Sequence, residues 1–347
     1  MKLKNLWIGL GLGALLVVLI VWGLCRLIMP GRYVVTTLPS LGGDFTRATG
    51  INEKGQVVGV SRVAQSRLHL FLWDPVHGTR DLGFSGSYAE INDHGQITGI
   101  TDVNHVSEAF FWDPNDGLCL LGTMGGQSSH GVGINNRGQV TGFYIAVDEE
   151  LHAFVWDRVN GVQIIDVPGC DLHLAWSIND AGQVIVHGAN DSYVITLDEG
   201  GNVVASEQLP TAGMWGINNT GHVAGVTQSA PGECDLVIWQ AGTGARTLRV
   251  GASDGDHVRI NDAGRVIYAR GPGKPMWFLS ILGIQPPEYY LVNLKGRARP
   301  IPLIVPTEED ERFTAAGINN RGQIIGTIRS NRTGSTRSVL LEPKGKR

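Results

Sequence analysis

The sequence predicts an all-β fold for residues 31–347, a seven-bladed β-propeller of four-stranded blades, and three observations support this prediction. An Ile-Asn pair recurs along the chain, a Gly follows each Asn by three residues, and successive pairs are 39 to 58 residues apart. The seven Asn residues are Asn52, Asn92, Asn135, Asn179, Asn218, Asn261 and Asn319. A repeat of this length indicates an architecture built from copies of one supersecondary unit.

Residue types within one repeat alternate between strand formers and turn formers. In the third repeat, residues 132–134, 139–143, 153–156 and 162–165 are rich in strand formers and are separated by polar loops and turns containing Asn, Asp or Gly. Four short strands joined by such turns predict an antiparallel sheet. A single sheet of this kind has two apolar faces, and radial packing of neighbouring units buries both, which is the β-propeller arrangement.

The recurring Asn and Gly have a structural explanation. An Asn side chain can bond to the backbone two residues further along a turn, and Gly supplies the positive φ that closes the turn. Because seven identical catalytic sites on one chain are implausible, the recurrence favours a structural role. Trp-Asp pairs at Trp73, Trp112 and Trp156 resemble the dipeptide of WD40 blades. The accompanying Gly-His signature is missing, so membership of that class does not follow.

The two ends of the chain predict how the ring closes. Residues 33–38 have the composition of a fourth strand and are followed by a Leu-Gly-Gly segment, whereas the last repeat ends after residues 338–341 without a fourth strand. We therefore expect the N-terminal strand to complete the last blade. Such closure removes exposed sheet edges, which otherwise invite aggregation.

The first thirty residues predict an N-terminal signal anchor. Residues 6–25 are uncharged and mostly aliphatic, and as one transmembrane helix they would span roughly 30 Å, the thickness of the hydrocarbon core. Lys2 and Lys4 favour a cytoplasmic N-terminus, so residues 31–347 would be extracytoplasmic, either periplasmic or extracellular. A cleaved signal peptide is the alternative, but no small-residue cleavage site follows the apolar segment. Gly9 and Gly13 have the spacing of a helix-dimerisation motif, although the bulky surroundings favour an anchor that does not form a homodimer.

Composition excludes several classes of function. A net charge of -4 argues against a nucleic-acid surface, which needs clustered Lys and Arg. No Walker, dinucleotide-binding or nucleophile-elbow motif joins a strand to a helix, and no three His residues have metal-ligand spacing, so we expect neither cofactor nor metal. Cys119, Cys170 and Cys234 fall in separate repeats. Three buried thiols are the prediction, and one disulfide among them is the alternative.

The tripeptide at residues 152–154, His-Ala-Phe, lies among Gly-Ile-Asn-x-x-Gly-Gln-Val-x-Gly and Phe-x-Trp-Asp segments. In these motifs the chain resembles the bacterial HAF-repeat extracellular proteins. The resemblance covers residues 33–347 and is strongest in the first three repeats, while the fourth has Val-Ile-Thr at 194–196 in place of Phe-x-Trp. It implies an exported, β-rich protein and no particular enzymatic activity.

Candidate ligand-binding residues are found where the repeat is broken. The residue before Ile is Gly or Ser in five repeats, but it is Glu90 in the second and Arg259 in the sixth. If this strand is innermost, both charges approach a central channel, and His130, Trp215 and His257 lie upstream on the same kind of strand. One hypothesis is a charged channel for a small polar ligand. The other is that each charge is solvated or paired with a neighbour.

A second break is the 58-residue step before the last Asn, which is longer than the others. It contains Pro286, Pro287, Tyr289 and Tyr290. A surplus loop with apolar and aromatic side chains is typical of a protein-binding patch. The same stretch is equally compatible with core strands joined by a proline-stiffened connection.

Together these patterns predict a membrane-anchored binding or scaffolding module for a protein or glycan partner. The alternative is an enzyme, a hydrolase or lyase acting on a glycan, with Glu90, His130 or His257 as acid-base groups. Convergence of these residues with Arg259 at one end of the channel would favour the enzyme.

Overall fold

The computed structural model describes residues 33–64, 67–167, 169–170, 174–231, 233–252, 258–269, 289–294, 300–303, 305, 307–308 and 310–344. Regular structure in these residues consists of β-strands, and the described part of the chain contains no helix capable of spanning a bilayer. The predicted anchor segment, residues 6–25, lies outside the described residues. Units 1 to 7 are numbered below by the seven Ile-Asn pairs in chain order.

The strands follow the repeats closely. Strand β1 (Tyr33–Thr37) precedes unit 1, which contains β2 (Gly42–Ile51), β3 (Val57–Val63), β4 (Leu68–Asp74) and β5 (Gly78–Ser85). Unit 2 contains β6 (Tyr88–Ile91), β7 (Ile97–Val103), β8 (Val106–Asp113) and β9 (Gly117–Gly122). Unit 3 contains β10 (Ser128–Ile134), β11 (Val140–Ile145), β12 (Leu151–Asp157) and β13 (Gly161–Ile165). Unit 4 contains β14 (Leu174–Ile178), β15 (Gln183–His187), β16 (Ser192–Leu197) and β17 (Val203–Gln208).

The later units have the same order of strands. Unit 5 contains β18 (Met214–Ile217), β19 (His222–Ala230), β20 (Glu233–Gln240) and β21 (Gly244–Ala252). Unit 6 contains β22 (Arg259–Ile260), β23 (Arg265–Ala269), β24 (Tyr289–Asn293) and β25 (Ile301–Leu303). Unit 7 contains β26 (Glu311–Ile318), β27 (Ile324–Ser330) and β28 (Thr336–Pro343).

Units 2 to 6 each form a separate four-stranded antiparallel sheet. In unit 7, strand β1 pairs with β28 as the fourth strand, from Tyr33 opposite Pro343 to Thr37 opposite Val339. A single parallel contact between Phe45 and Thr336 joins this sheet to the sheet of unit 1. The described fold is therefore all-β, repetitive and propeller-like, as the sequence predicts.

The strand register places two sets of turns on the same end of the sheets. In unit 1, Ile51 pairs with Val57, which pairs with Trp73, which pairs with Thr79. The Ile-Asn turn follows Ile51, and the turn between the third and fourth strands follows Trp73. We call the surface that carries the Ile-Asn turns the turn face, and the other end of the sheets the opposite face.

The hydrophobic core lies between neighbouring sheets. Val60 and Leu70 of unit 1 share one cluster with Ile97 and Phe110 of unit 2. Further clusters join each later unit to the next. The last cluster packs Ile325 of unit 7 against residues of unit 1. Because each sheet buries its two faces against two different neighbours, no unit has an adequate core by itself.

The repeated Asn connects the units as well as shaping its own turn. Asn52 Oδ1 accepts the backbone N–H of Lys54 at 3.1 Å and of Gln56 at 2.9 Å, and Gly55 has a φ of +80°. The same side chain donates from Nδ2 to the carbonyl oxygen of Asn92 in the next unit at 3.0 Å. Each of the seven Asn side chains makes the corresponding inter-unit bond, at distances of 2.7 to 3.1 Å.

The thiols differ in part from the prediction. Cys170 and Cys234 are buried, but Cys119 is exposed. Cys119 lies on β9, the last strand of the unit 2 sheet, where its neighbours Leu118 and Leu120 are exposed as well. The expectation of three buried thiols is therefore wrong for Cys119.

Candidate functional site

One of the two departures from the repeat, Glu90, coincides with a change in strand geometry. In units 1, 3, 4, 5 and 7 the register of the first strand shifts by one residue just before the Ile. The residues inserted at these bulges are Thr49, Val132, Trp176, Trp215 and Ala316. The pairs of unit 2 run from Tyr88 to Ile91 without such a shift. Glu90 therefore lies on a regular strand, whereas the described pairs of unit 6, Arg259 with Ile267 and Ile260 with Val266, begin after the position of the shift.

The Glu90 side chain lies against the first strand of unit 1. A Cβ atom on Gly50 would be only 2.8 Å from Glu90 Oε2 and 3.2 Å from Glu90 Cα. Only glycine leaves room for this close approach. Glycine in unit 1 and glutamate in unit 2 thus fit each other as a pair.

Glu90 is held by a tyrosine and lies within the field of an arginine. The Tyr88 hydroxyl donates to Glu90 Oε1 at 2.6 Å. Burial raises the pKa of Glu90 to about 7, while the Tyr88 hydrogen bond and the positive charge of Arg259 oppose the rise. Loss of hydration disfavours the charged form of a carboxyl, and this is the dominant cause.

Two arginines, Arg259 and Arg47, affect the pKa of Tyr88. Arg259 donates from Nε to the carbonyl oxygen of Ala316 at 3.0 Å and from Nη1 to that of Val258 at 3.1 Å. Its charge and that of Arg47 both act to lower the pKa of Tyr88, which burial and the neighbouring Glu90 raise well above its ordinary value. Arg47, Tyr88, Glu90 and Arg259, here called the opposite-face cluster, therefore form one electrostatic group drawn from units 1, 2 and 6. They lie on the side of the Ile residues away from the Ile-Asn turns.

The other candidate ligand residues are placed differently. His130 packs against Phe143 with ring centroids 4.7 Å apart, and burial alone lowers its pKa. Trp215 lies 5.4 Å from Trp176 and 4.9 Å from His187, between centroids. Its indole N–H is buried without an acceptor among the described residues. No described contact links either residue to Glu90, and His257 lies outside the described residues.

A cavity of about 180 Å³ opens at the turn face and is lined by all seven Ile-Asn segments. The residue after each Asn is acidic or an amide, and this turn-face ring consists of Glu53, Asp93, Asn136, Asp180, Asn219, Asp262 and Asn320. Sequence reasoning missed this ring. The available signal was the polar residue that follows every Ile-Asn pair.

Hydrogen bonds connect the turn-face ring from one unit to the next. Asp93 Oδ1 accepts the Glu53 backbone N–H at 2.8 Å, and Asn136 Nδ2 bridges Asp93 and Asp180 at 3.0 Å each. Between units 7 and 1, Glu53 Oε1 accepts the Asn320 backbone N–H at 2.7 Å. Burial and then the neighbouring carboxylates raise the pKa of Glu53, against the effect of this bond. The ring is thus an acidic mouth whose side chains already have partners.

A separate trio of possible metal ligands lies at the surface of unit 3. One ligand atom from each of Asp148, Glu150 and His152 falls within 4.8 Å of the others. Both carboxylates are exposed, and the His152 ring stacks on Tyr144 with centroids 5.1 Å apart. The grouping includes the His of the HAF tripeptide and was not anticipated, because the sequence search considered His spacing alone.

The predicted partner-binding loop is only partly described. Tyr289 and Tyr290 lie on β24 and are 5% and 7% exposed. Tyr289 packs edge-on against Phe313 at 5.7 Å between centroids, and Tyr290 stacks on Tyr268 at 5.9 Å. These two tyrosines belong to the core between units, so their assignment to an exposed loop is wrong. Pro286 and Pro287 lie outside the described residues.

Comparison with known proteins supports the fold alone. No protein family and no curated protein matches the chain. The WD40 domain of Neurospora crassa Pan2 is similar in structure, with a TM-score of 0.52, 10% identity, and coverage of 92% of this chain and 98% of that domain. An uncharacterized protein of Listeria monocytogenes EGD-e has the same TM-score and identity, over 86% of this chain and 95% of its own.

A third similar structure is TolB from Acinetobacter baumannii, at 12% identity and a TM-score of 0.36. The match covers 92% of this chain but only 57% of the TolB chain. The likeness to the Pan2 domain and to the Listeria protein shows that the chain has a propeller-like fold, and it assigns no activity.

Proposed function

We propose that this chain is a seven-bladed β-propeller of the HAF-repeat type, closed by β1, that acts as an extracytoplasmic binding or scaffolding module. Pairing of β1 with β28 and the core shared by units 7 and 1 support the blade count and the closure. Residues 6–25 would anchor the module as a single-pass membrane protein, with a protein or glycan as its partner. The uncharged, aliphatic character of that segment supports the anchor.

The observation that supports ligand binding is the opposite-face cluster. Seven near-identical units would give a uniform axial surface, but units 2 and 6 place a carboxylate and a guanidinium there. Functional groups in a repeat protein are expected where one unit differs from the rest. Tyr88, Glu90 and the two arginines offer hydrogen-bond donors and acceptors for the hydroxyl or carboxyl groups of a small polar ligand such as a glycan end.

An enzyme is the second candidate, and one property of Glu90 favours it. A carboxyl with a pKa of about 7 is well matched to general acid-base work near neutral pH. Glycoside hydrolysis, however, generally needs a second carboxyl roughly 5 to 9.5 Å away. The charged group that acts on Glu90 within the described residues is the cation Arg259. This arrangement suits binding, or a lyase with Glu90 as base, better than a hydrolase.

Binding can be tested with the full chain in detergent. Purified protein is applied to a glycan array and, in parallel, crosslinked in membranes to recover protein partners. Glu90→Gln and Arg259→Gln should each weaken ligand retention by at least about tenfold, since each removes a charge-assisted hydrogen bond. Glu199→Gln is the matched control, because Glu199 is exposed and only its backbone carbonyl oxygen accepts a described hydrogen bond.

Unchanged retention of every ligand by both variants would contradict the proposed site. Slow cleavage of a bound glycan that is abolished in Glu90→Gln, but retained in the control, would favour the enzyme.

A further inference from the structure

We propose that the turn face lies against the lipid bilayer and that the opposite-face cluster points away from it, toward the ligand. This inference rests on the membrane anchor of the proposed function and concerns which face of the module meets which partner. The partner of the turn face is the bilayer that would hold residues 6–25 of the same chain.

The strand register determines where the chain enters the module. In unit 7, Ile318 pairs with Ile324, which pairs with Leu341, which pairs with Val35. The corresponding row of paired residues in unit 1 lies next to the turns of the turn face. Tyr33 lies two residues beyond Val35, so the chain enters unit 7 at the turn face.

The connection to the apolar segment is short. Eight residue steps separate residue 25 from residue 33, and fully extended they reach at most about 29 Å. A strand of seven residues, such as β12, is about 23 Å long. To bring the opposite face to the bilayer, the connection would have to run almost fully extended along the whole height of unit 7. With the turn face toward the bilayer, no such extension is needed.

Exposed apolar side chains on the turn face fit this arrangement. Val76 and Val159 are 81% and 91% exposed, at the tips of the turns between the third and fourth strands of units 1 and 3. Single exposed valines are common on protein surfaces, and Val147 on the opposite face is also exposed, so the orientation is inferred from the point where the chain enters. They can contact the interfacial region of a bilayer without loss of any core contact.

Unit 3 supplies a matched pair of positions for the test. Val159 lies on the turn face, whereas Val147, 75% exposed, lies in the turn between the second and third strands on the opposite face. Full-length protein lacking the exposed Cys119 through Cys119→Ser would carry either Val159→Cys or Val147→Cys. After reconstitution in phosphatidylcholine vesicles, a membrane-impermeant donor dye labels the outward-facing cysteine, and acceptor dyes on lipid headgroups report its height by energy transfer.

We expect the dye at 159 to lie about 20 Å closer to the bilayer than the dye at 147, the length of the intervening strand. Insertion of twenty Gly and Ser residues after Arg32 should reduce this difference, since a flexible linker of that length allows many orientations. Equal transfer from both positions, or more from 147, would overturn the orientation while leaving the anchor in place. Failure of the protein to float with the vesicles would overturn the anchor, and the orientation with it, but not ligand binding.

Discussion

The turn face and the opposite-face cluster are built on opposite principles. At the turn face, every unit provides the same Asn and a following acidic or amide residue, and their hydrogen bonds run from each unit to the next. At the opposite-face cluster, the groups come from units 1, 2 and 6 and have no counterpart in the other units. Regularity at one end stabilises the ring, and irregularity at the other supplies distinct chemistry. Substitutions at the two ends should therefore have different consequences.

The largest expected effect is loss of the Asn of an Ile-Asn pair. Asn135→Ala removes the bonds from Nδ2 to Gln139 and to the carbonyl oxygen of Asn179, and those from the Arg137 and Gln139 backbone to Oδ1. Buried groups left without partners cost about 1–3 kcal/mol each, so we expect a loss of at least about 3 kcal/mol in the free energy of unfolding. Urea denaturation followed by tryptophan fluorescence measures it.

The control for this variant is Asn115→Ala, in an exposed turn where only the Asn115 backbone makes the described hydrogen bond. That change should remain within about 0.5 kcal/mol of wild type. Similar losses in both variants would show that the inter-unit bonds of the Ile-Asn asparagines add little to the free energy of unfolding.

A smaller effect is expected at Gly50, which packs closely against the Glu90 side chain. Gly50→Ala would place a methyl group 2.8 Å from Glu90 Oε2 and 3.0 Å from Val58 Cγ2, and should destabilise the protein by about 1–3 kcal/mol. Gly216→Ala is the matched control at the same position of unit 5, where the nearest atom would be 3.3 Å away. Repeating Gly50→Ala in a Glu90→Ala background should recover part of the loss. Strict additivity of the two changes would refute the packing of Glu90 on Gly50.

The pH dependence of stability tests the burial of Glu90. Because the folded pKa of Glu90, about 7, exceeds its ordinary value of 4.5, the folded state binds more protons between these pH values than the unfolded state. Stability from this group is therefore complete below about pH 4.5 and is lost as pH rises through 7. Glu90→Gln should lose less stability than wild type over this window, by on the order of 1–2 kcal/mol. Parallel curves for wild type and variant, from urea unfolding at pH 5 to 8, would contradict the burial of this carboxyl.

The smallest effect is expected within the turn-face ring. Asp93→Asn keeps an oxygen that can accept the Glu53 backbone N–H, and units 3, 5 and 7 already use Asn at this position. Only the bond from Asn136 Nδ2 to the second carboxylate oxygen is lost, while one negative charge is removed from a mouth with four carboxylates. We expect a change of less than about 1 kcal/mol. A loss as large as that of Asn135→Ala would show that the Asp93 carboxylate, through its charge or its bond from Asn136, contributes far more than expected.

The fold could be predicted because its determinants are local and repeated. The Ile-Asn-x-x-Gly turn, the alternation of strand and turn formers, and the composition of residues 33–38 all act within a few residues of sequence. The inter-unit bond from Asn52 to Asn92 could not be predicted, because a turn Asn needs only its own backbone. The polar residue after each Asn was overlooked for the same reason: its partner is about forty residues away.

The candidate site was only half predictable. Glu90 and Arg259 were selected because each replaces a small residue at a fixed position of the repeat, and the positive charge of Arg259 lowers the pKa of Glu90 in the structure. The sequence could not assign Tyr88 and Arg47 to the candidate site, because their proximity to Glu90 and Arg259 depends on how units 1, 2 and 6 are arranged in the fold. Tyr289 and Tyr290 were misassigned because a long spacing does not show which of its residues form strands.

The bond from Asn319 to Asn52 joins residues 267 apart in the chain, and β1 pairs with a strand near the other terminus. During synthesis, β1 is made first, but it has no pairing strand until β28 has been made. Contacts between such distant segments slow folding, because the entropy of loop closure is lost before they form. Until the final unit is complete, β2 and the unpaired β1 remain open to other chains. Folding of this domain should thus be most vulnerable to aggregation before unit 7 has formed.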